Sequence, residues 1–453
     1  MNKKQIRPIA RMHGYWLNRT LLKRMAEWSV ERQRAFVFDR LQRTLIRAAE
    51  GSPFYQERFR AAGFDPRRHF QSASDLQRVP LLTKEDVRGN YEQMIDRRFL
   101  ARSVEANTSG TSGQPMLMRL NEWYVALDYA CMFRFWGQAG YRFRDRYAAV
   151  RSYVPCSEDE PLWKFNWWQN TLYMSAYHLK PSNAAGYLDA LLRFRPQYIR
   201  GYASSLTVLA EYAFAQRARF DFVRGLFTAS ETLLPSERST IERTFGNKLF
   251  DWYGMTEPAV VITERADHTG MEVNWEYGFP EFAASSELPV DERRLIATSL
   301  HNPVMPFIRY DTGDIVKLAT DEPPSGELYP LVRAVIGRKD DCILTPDGAR
   351  LPSLNFYSLL QSYTDVLRFQ FVQASLRDVL MKVTLRSEVS KPDELLSSLR
   401  REVSKRLGDG IALRVEVTET FETSPDGKSP TFKRAFSPGA ETPATQLVTT
   451  ASN

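Results

Sequence analysis

Hydrophobic residues near the start of the chain recur at the three- and four-residue spacing of an amphipathic helix. Two such runs lie within residues 20–62: the first passes through Leu21, Met25 and Trp28, and the second through Leu41 and Leu45. Because this spacing places apolar side chains on one face of a helix, the segment is predicted to form packed helices.

Short apolar segments then alternate with helical stretches. They cover residues 148–153, 198–202, 225–230 and 248–252. Thr83, followed by Lys84, Glu85 and Asp86, predicts a helix start, since a hydroxyl caps the first turn and acidic residues complement the helix dipole. Strands that alternate with helices predict an α/β body.

The pattern changes after Gly337. Alternating apolar residues, a helix face and a second alternating run follow one another; they are Met381, Val383 and Leu385, then Leu395, Leu399, Val403 and Leu407, then Ile411, Leu413, Val415 and Val417. This strand–helix–strand order predicts a small α+β domain. The expected division is a large domain of residues 1–338, a small domain of residues 339–436, and a disordered tail of residues 437–453 that is too poor in apolar residues to pack.

Composition narrows the class of protein. The 453 residues are 43% hydrophobic and 25% charged, which is typical of a globular protein. The start of the chain lacks the apolar core of a signal peptide, no window is apolar enough to cross a bilayer, and the three cysteines form no CxxC pair. We therefore expect a cytoplasmic protein with no membrane partner.

The formal net charge is +7, from 61 basic and 54 acidic residues mixed along the chain. Mixed charge is typical of a solvated surface, so no nucleic-acid partner is expected. A modest positive excess also suits anionic small substrates such as ATP or coenzyme A.

A loop rich in glycine and hydroxyl residues, Asn107-Thr108-Ser109-Gly110-Thr111-Ser112-Gly113-Gln114-Pro115, is the first chemical signal. Glycines let backbone N–H groups approach an anion closely, and hydroxyls add donors, so such a loop can wrap phosphate oxygens. It lacks the Gly-Lys-[Ser/Thr] ending of a Walker A loop. Taken alone, it is equally typical of a flexible linker.

Three further clusters carry polar groups in close spacing. Residues 251–257 read Asp-Trp-Tyr-Gly-Met-Thr-Glu, in which an aromatic ring, a hydroxyl and a carboxylate suit adenine stacking, phosphate contact and Mg²⁺ ligation. Residues 309–314 end in Asp314, which could accept hydrogen bonds from ribose hydroxyls. Residues 337–341, Gly-Arg-Lys-Asp-Asp, lie at the expected domain boundary.

In this order and spacing the four clusters resemble the adenylate-forming ligase superfamily, and within it the phenylacetate-CoA ligase-like branch that includes capsular-polysaccharide-associated members. The resemblance extends over nearly the whole chain, through residues 52–55, 62–66, 79–84, 228–231 and 369–373. It implies a large α/β amino-terminal domain of mixed sheets and helices, with a small carboxy-terminal domain on a hinge.

The resemblance also implies roles for individual residues. Thr108, Ser109, Gly110, Thr111, Ser112 and Gly113 would cradle the ATP phosphates, Ala229, Ser230 and Glu231 would border the adenine, and Tyr253 and Gly254 would lie beside its ring. Thr256 would meet the α-phosphate, Glu257 would hold Mg²⁺, Asp314 would bind the ribose with Arg338 nearby, and Asp340 would be the hinge.

A lysine of the small domain would complete the adenylation site. Residues 424–428, Ser-Pro-Asp-Gly-Lys, resemble the family's Pro-x-Gly-Lys signature and nominate Lys428. Lys433 is the rival, because Ser429 and Pro430 follow where the family shows a hydrophobic and a basic residue.

A second departure concerns metal. Several members of this branch carry cysteine and histidine ligands shortly after the Tyr-Gly-x-Thr-Glu motif, whereas residues 261–268 here contain His268 but no cysteine. We therefore expect no structural zinc.

The expected reaction is ATP- and Mg²⁺-dependent activation of a carboxylic acid as acyl-AMP, followed by transfer to coenzyme A. Transfer to an amine, a hydroxyl or a carrier-protein thiol is the alternative, and a non-catalytic scaffold is a third. Aromatic residues between Trp163 and Tyr177 favour an aromatic acid, although such rings are also typical of a core. Tyr177 and His178 are candidates for the acyl pocket, and a homodimer is a reasonable expectation.

Overall fold

The computed structural model describes residues 3–108, 116–151, 161–176, 179, 183–230, 233, 235–246, 248–286, 288–338, 342–346, 350–352, 356, 359–360, 363, 365–385, 389–408, 410–418 and 432–436. These residues form two compact units. The first comprises residues 1–340 and 354–364, and the second comprises residues 341–353 and 365–453.

Helices dominate the start of the first unit. They are α1 Lys3–Leu17, α2 Lys23–Met25, α3 Val30–Gly51, α4 Pro53–Ala61, α5 Pro66–His69, α6 Lys84–Gly89 and α7 Tyr91–Met94, with a π-helical turn at Asn18–Leu22 and 3-10 turns at Ala73–Arg78 and Arg97–Arg102. The predicted helical segment is confirmed. The predicted start at Thr83 is also confirmed, because its side chain accepts a hydrogen bond from the Asp86 amide and the Asp86 carboxylate caps in return.

The longest of these helices shows why the segment packs. Ser29 caps α3, and Val37, Leu41, Leu45 and Ala48 form a buried stripe at three- and four-residue spacing. Tyr55 then connects the helices to the rest of the unit. Its hydroxyl donates a hydrogen bond of 2.8 Å to the Pro306 carbonyl and accepts one of 3.1 Å from the Ile308 amide.

A twelve-stranded mixed sheet forms the body of the first unit. Its order is β11-β12-β13-β14-β10-β9-β8-β7-β6-β3-β5-β4. The strands are β3 Tyr147–Arg151, β4 Trp163–Asn166, β5 Thr171–Ser175, β6 Tyr198–Gly201, β7 Gly225–Ala229, β8 Leu249–Gly254, β9 Val261–Glu264, β10 Met271–Val273, β11 Gly278–Ala283, β12 Glu292–Ser299, β13 Tyr310–Leu318 and β14 Val332–Arg338.

Five neighbouring strands of this sheet, β5, β3, β6, β7 and β8, are parallel. Helices provide the crossovers that parallel strands require; they are α9 Ala184–Phe194, α10 Ala203–Ala215 and α11 Pro235–Phe245, while α8 Glu122–Gln138 precedes the sheet. The α/β body predicted from the alternating pattern is confirmed, together with the strands expected near residues 148, 198, 225 and 248.

A separate hairpin pairs β1 Ser103–Asn107 with β2 Leu117–Asn121. Its register joins Asn107 to Leu117, so the glycine- and hydroxyl-rich loop is the connection of this hairpin.

The second unit contains a hairpin of β15 Cys342–Leu344 and β16 Arg350–Pro352, and a four-stranded sheet of order β19-β18-β17-β20. The sheet strands are β17 Val366–Ser375, β18 Asp378–Leu385, β19 Ala412–Val417 and β20 Phe432–Arg434, and α12 Pro392–Leu407 buries Leu399, Val403 and Leu407. The predicted strand–helix–strand order is present as β18, α12 and β19, and β17 extends it as the central partner of β18.

Within the described residues, no helix has the length and apolar content needed to span a bilayer.

Candidate functional site

Four parallel strands of the first unit end at one edge of the sheet. Register pairs join β3 to β6, β6 to β7, and β7 to β8, with Ala229 opposite Trp252. Carboxyl ends of parallel strands are where α/β sheets bind ligands, because backbone groups and loop side chains are exposed there. Ala229, Ser230, Tyr253 and Gly254, predicted from two separate motifs, therefore lie on adjacent strand ends.

Ser230 has an unusual backbone conformation at the end of β7. Its φ is +74°, in the left-handed region that a residue with a side chain rarely adopts. Arg151, at the end of β3, donates a hydrogen bond of 2.6 Å from Nη2 to the Ser230 Oγ, and its guanidinium lies 4.8 Å from the Tyr202 ring centroid. This contact fixes a hydroxyl and a cation together at the site edge.

Arg151 remains charged despite its surroundings. Burial, together with the nearby Arg200 cation, lowers the pKa of Arg151 to about 10. A pKa of about 10 leaves the guanidinium protonated at neutral pH, so the edge carries positive charge that suits a phosphate.

Tyr253 and Asp314 meet across the site. The Tyr253 hydroxyl donates a hydrogen bond of 2.6 Å to Oδ2 of Asp314. Burial, and then the adjacent Asp314 carboxylate, raise the pKa of the Tyr253 phenol well above its usual value, so it stays a donor. Asp314 is also the backbone partner of Arg338 across β13 and β14.

Sheet curvature explains this contact. β13 lies four strands from β8 in the sheet order. In a flat sheet the two strands would be about 19 Å apart, since neighbouring strands are separated by about 4.8 Å. A hydrogen bond between side chains on these strands requires the sheet to curl strongly, as twisted sheets do.

Glu257 follows β8 and is only 4% exposed. The Tyr310 hydroxyl, at the start of β13, donates a hydrogen bond of 2.9 Å to Oε1 of Glu257. Backbone hydrogen bonds of Leu82 flank Tyr310 on both sides. The Leu82 amide donates to the Arg309 carbonyl, and the Leu82 carbonyl accepts from the Asp311 amide. Thr256, the residue before Glu257, is half-buried.

The surroundings of Glu257 suit a cation. Among the residues that the structure describes, no Lys, Arg or His forms an ion pair with it, and nothing donates a hydrogen bond to its Oε2. A buried carboxylate without a positive partner is costly unless a cation neutralises it. Oxygen ligation of this kind is what Mg²⁺ prefers, so the donor set fits the ion.

A buried network lies behind the strand ends. The Thr228 hydroxyl donates a hydrogen bond of 2.7 Å to Oδ1 of Asp251, and the Asp251 amide donates one of 2.8 Å to Oε2 of Glu264. Arg238 and His268 also contact Glu264, at 2.7 and 2.9 Å. Burial raises the pKa of Asp251 to about 6, although the hydrogen bond from Thr228 opposes the shift. These contacts fix the backbones of β7 and β8 immediately before the predicted nucleotide contacts.

Gly254 has a steric role. A Cβ atom at this position would lie 2.4 Å from Nε1 of Trp252, closer than any stable contact. The Trp252 indole therefore folds over Gly254, and it packs against Phe135 with ring centroids 5.5 Å apart.

Thr108 closes the base of the glycine- and hydroxyl-rich loop. Its amide donates a hydrogen bond of 3.0 Å to the Met116 carbonyl, and its Oγ1 accepts one of 3.0 Å from the Met116 amide. Ser109, Gly110, Thr111, Ser112 and Gly113 lie outside the described residues, so their predicted phosphate contacts remain predictions.

Other predicted site residues also lie outside the described part of the chain; they are Tyr177, His178, Glu231, Asp340 and Lys428. Lys433 is described, in β20 of the second unit, where it is the backbone partner of Val372. The choice between Lys428 and Lys433 therefore stays open.

The exposed aromatic residues of β4 and its turn change one expectation. Trp167, Trp168 and Phe165 are 70%, 65% and 50% exposed, so they form neither a core nor a closed pocket. The physical reason is that β4 is the edge strand of the sheet. Buried rings lie instead between α8 and the sheet, and they include Phe133, Phe135, Trp136, Tyr147, Tyr198 and Phe227.

Residues 261–268, the stretch without the cysteine ligands expected from the resemblance, make contacts that stabilise the fold. Residues 261–264 form β9, Glu264 serves the Asp251 network, and the His268 ring stacks on Phe250 at 4.7 Å. No group of three or more His, Cys, Asp or Glu side chains in the described ranges is arranged to hold a metal ion. The absence of structural zinc stays a prediction.

The sequence alone did not assign roles to Arg151 or Tyr310. Tyr310 belongs to a quoted motif, and its position four residues before Asp314 was the available signal. Arg151 ends a predicted strand, and a charged residue at the carboxyl end of a parallel strand was the signal there.

The chain is similar to several known proteins. No family profile matches the chain. It is 24% identical over 363 residues to the protein CapK of Staphylococcus aureus, covering 79% of this chain and 80% of CapK. It is also 24% identical over 430 residues to a phenylacetate-coenzyme A ligase of Thermus thermophilus, covering 88% and 94% of the two chains.

The fold has solved counterparts. A 2-hydroxyisobutyryl-CoA ligase in its postadenylation state superposes with a TM-score of 0.57, at 21% identity and 88% coverage of each chain. The same ligase in its thioesterification state gives 0.57, at 21% identity and with 90% of this chain and 91% of that one covered. The chain is therefore similar in sequence to CapK and to phenylacetate-coenzyme A ligases, and it shares the mixed α/β fold of adenylate-forming ligases.

Proposed function

We propose that the protein activates a carboxylic acid with ATP, as an enzyme-bound acyl-adenylate, and then transfers the acyl group to the thiol of coenzyme A. One observation carries the proposal. Two hydrogen bonds, Tyr253 to Asp314 and Tyr310 to Glu257, join the motif at 251–257 to the motif at 309–314. Residues nominated for adenine, ribose and Mg²⁺ are thereby linked in one group.

The first half-reaction needs positioning more than a protein nucleophile. The substrate carboxylate attacks the α-phosphorus, a new P–O bond forms to the acyl oxygen, and the bond to the β-phosphate breaks to release pyrophosphate. The enzyme must align the reactants and offset negative charge as it moves onto the leaving group. No Ser-His-Asp arrangement is required for this step.

Each residue of the site has a task in that step. Tyr253 would bound the adenine, Asp314 would accept hydrogen bonds from the ribose hydroxyls, and Thr256 would donate to the α-phosphate. Mg²⁺, when bound, supplies positive charge beside the phosphates, and Glu257 would hold it. Arg151 adds a fixed cation at the same edge, through the hydroxyl of Ser230.

A lysine from the second unit would donate to the carboxylate and the α-phosphate. Lys428 is the proposed donor and Lys433 its rival. Replacing the true donor with Ala should slow adenylation by roughly 10² or more, because a charge contact of the transition state is lost. Replacing the other lysine should change the rate less than about threefold.

The second half-reaction sets the acceptor. The thiol sulfur attacks the acyl carbon, the thioester C–S bond forms, and the bond to the adenylate breaks to release AMP. Relatives named as CoA ligases support coenzyme A over an amine, a hydroxyl or a carrier-protein thiol. Two features argue against a scaffold without activity. The two hydrogen bonds that link the motifs are present, and the buried Glu257 has no positive partner in the described ranges.

We further propose an aromatic acid as substrate. Relatives named phenylacetate-coenzyme A ligase support this choice. Trp252, a partly buried ring that precedes Tyr253 and packs against Phe135, provides aromatic surface near the carboxyl end of β8. Aromatic and apolar lining is typical of pockets that bind aryl groups.

Product analysis tests the proposal. The protein is incubated with ATP, Mg²⁺, coenzyme A and a panel of aromatic, aliphatic and amino acids, and thioester and AMP are quantified. Equal amounts of AMP and acyl-CoA with an aromatic acid are expected. AMP released with an amide or ester product would replace coenzyme A as the acceptor, and preference for an aliphatic acid would overturn the substrate class alone.

A further inference from the structure

The positive charge of the chain is concentrated at its start. Residues 1–26 contain no Asp or Glu and seven basic residues: Lys3, Lys4, Arg7, Arg11, Arg19, Lys23 and Arg24. The other 54 Lys and Arg equal the 54 Asp and Glu in number, so residues 27–453 are formally neutral. The mixed-charge interpretation holds for that larger part only, and the whole excess of +7 lies in one segment.

One face of α1 is already packed. Ala10 is 5% exposed, and a Cβ atom on Gly14 would lie 2.5 Å from Cβ of Tyr129 and 2.6 Å from the Ala126 carbonyl oxygen. Because only glycine allows such a close approach, this face of α1 is pressed onto α8. Residues on the opposite face are therefore not needed for this packing.

That opposite face is apolar and exposed. Ile9, Met12 and Trp16 recur at spacings of three and four residues and are 55%, 51% and 59% exposed. Trp123, at the start of α8, is 46% exposed. Trp16 and Trp123 line the same surface groove, whose volume is about 690 Å³ and whose lining includes Leu17 and Phe99. Clustered exposure of large apolar side chains marks an interaction surface.

Cationic side chains border this surface. Arg19 is exposed in the π-helical turn after α1, Lys23 and Arg24 are exposed in α2, and Arg102 lines the groove. None of these four forms an ion pair within the described ranges. The acidic groups nearby are Glu27 in sequence and Glu122 in the groove lining, so positive charge predominates.

We propose that this amino-terminal face docks onto an anionic phospholipid membrane, with Ile9, Met12, Trp16 and Trp123 at the boundary of headgroups and acyl chains. Basic amphipathic helices with tryptophan on the apolar face bind membranes in this way, lying in the interface rather than crossing it. The proposal departs from the sequence-based expectation of no membrane partner.

The same observations disfavour two other occupants. A nucleic acid would use the cations but leave the apolar stripe in water. A second copy would bring two segments of like charge together, which is unfavourable. An anionic bilayer satisfies both the stripe and the cations.

Vesicle flotation of the full-length protein tests the proposal. Vesicles of phosphatidylcholine alone are compared with vesicles containing about 30% phosphatidylglycerol, at low salt and at about 0.5 M salt. We expect binding to the anionic vesicles that weakens at high salt. The variant combining Met12→Ser and Trp16→Ser should bind at least roughly tenfold more weakly.

Two further variants make the result specific. Trp167→Ser removes a 70% exposed tryptophan elsewhere on the surface and should bind as the unmodified protein does. The variant combining Arg19→Glu and Lys23→Glu should lose binding without touching the apolar stripe. The proposal is overturned if the protein does not bind anionic vesicles, or if Trp167→Ser weakens vesicle binding as much as the Met12→Ser and Trp16→Ser variant does. It is also overturned if the protein dimerises without vesicles and the Met12→Ser and Trp16→Ser variant does not.

Discussion

The Tyr310 hydroxyl donates a hydrogen bond of 2.9 Å to Oε1 of Glu257, although 53 residues separate the two in the chain. Both side chains are buried, and Tyr310 is fully so. A carboxylate held by one oxygen presents the other in a fixed direction. We therefore assign Tyr310 as a positioning residue for the proposed Mg²⁺ ligand.

Replacing Tyr310 with Phe should weaken the response to Mg²⁺. Loss of the donor leaves Oε1 of Glu257 unsatisfied and free to turn, at a cost of about 1–2 kcal/mol, so the Mg²⁺ concentration for half-maximal activity should rise roughly tenfold. Titration of adenylation with Mg²⁺ measures this shift.

Tyr329→Phe is the matched control. The Tyr329 hydroxyl is buried without a hydrogen-bond partner among the described residues, so its removal should leave the Mg²⁺ dependence unchanged. An unchanged Mg²⁺ response in Tyr310→Phe would contradict the positioning role.

Asp314→Asn should reduce discrimination for ribose hydroxyls. An ionised carboxylate accepts two strong hydrogen bonds, whereas the amide accepts fewer, so KM for ATP should rise about tenfold or more. The preference for ATP over 2′,3′-dideoxy-ATP should shrink at the same time. Asp311→Asn, which alters the neighbouring carboxylate that pairs with Arg294, should retain the preference. Equal preference loss in both variants would remove the ribose assignment.

Asp251 should make stability depend on pH. Its pKa is raised from its ordinary value near 3.8 to about 6 in the folded protein, so the folded state binds the proton more tightly than the unfolded state. The resulting contribution to stability is fully present below about pH 3.8 and is lost as pH rises through about 6. At neutral pH the deficit is up to about 3 kcal/mol.

Asp251→Asn should remove this deficit while keeping an acceptor for Thr228. We expect its free energy of unfolding to exceed that of the unmodified protein at pH 7, and the difference to vanish near pH 4. Urea unfolding at several pH values measures this difference. Other titrating groups are present in both proteins, so their contributions cancel in the comparison; one is His301, whose pKa is lowered by burial to about 4. A pH-independent difference would show that the pKa of Asp251 is the same in the folded and unfolded states.

Gly254→Ala should disturb the site through Trp252. A Cβ at 2.4 Å from the indole forces the ring away from its packing against Phe135, which costs about 1–3 kcal/mol. Thermal unfolding and KM for the acid should both respond. Gly89→Ala is the matched change, since no atom lies within 4 Å of the added carbon. Normal behaviour of Gly254→Ala would mean that the indole moves without cost.

Local pattern sufficed for much of the fold. The α3 stripe, the Thr83 cap and the β3, β6, β7 and β8 strands each depend on short-range spacing, so periodicity predicts them. Adjacency of Ala229 and Trp252 follows from parallel strand ends. The motif order also led to the family that the relatives support.

Long-range geometry was beyond the pattern. The Tyr253–Asp314 contact depends on the curl of a sheet across four strands, and Arg151 reaches Ser230 only because β3 ends at the same edge. Exposure of Trp167 and Trp168 depends on β4 being the edge strand, which composition cannot indicate.

Pyrophosphate exchange reports on adenylation separately from acyl transfer. Labelled pyrophosphate is supplied with ATP, Mg²⁺ and each acid of the panel, with coenzyme A withheld, and label entering ATP is counted. We expect exchange that requires an acid of one class and falls by roughly 10² in Glu257→Gln. Absence of exchange with every acid, in protein that demonstrably binds ATP, would contradict adenylation as the function of this site.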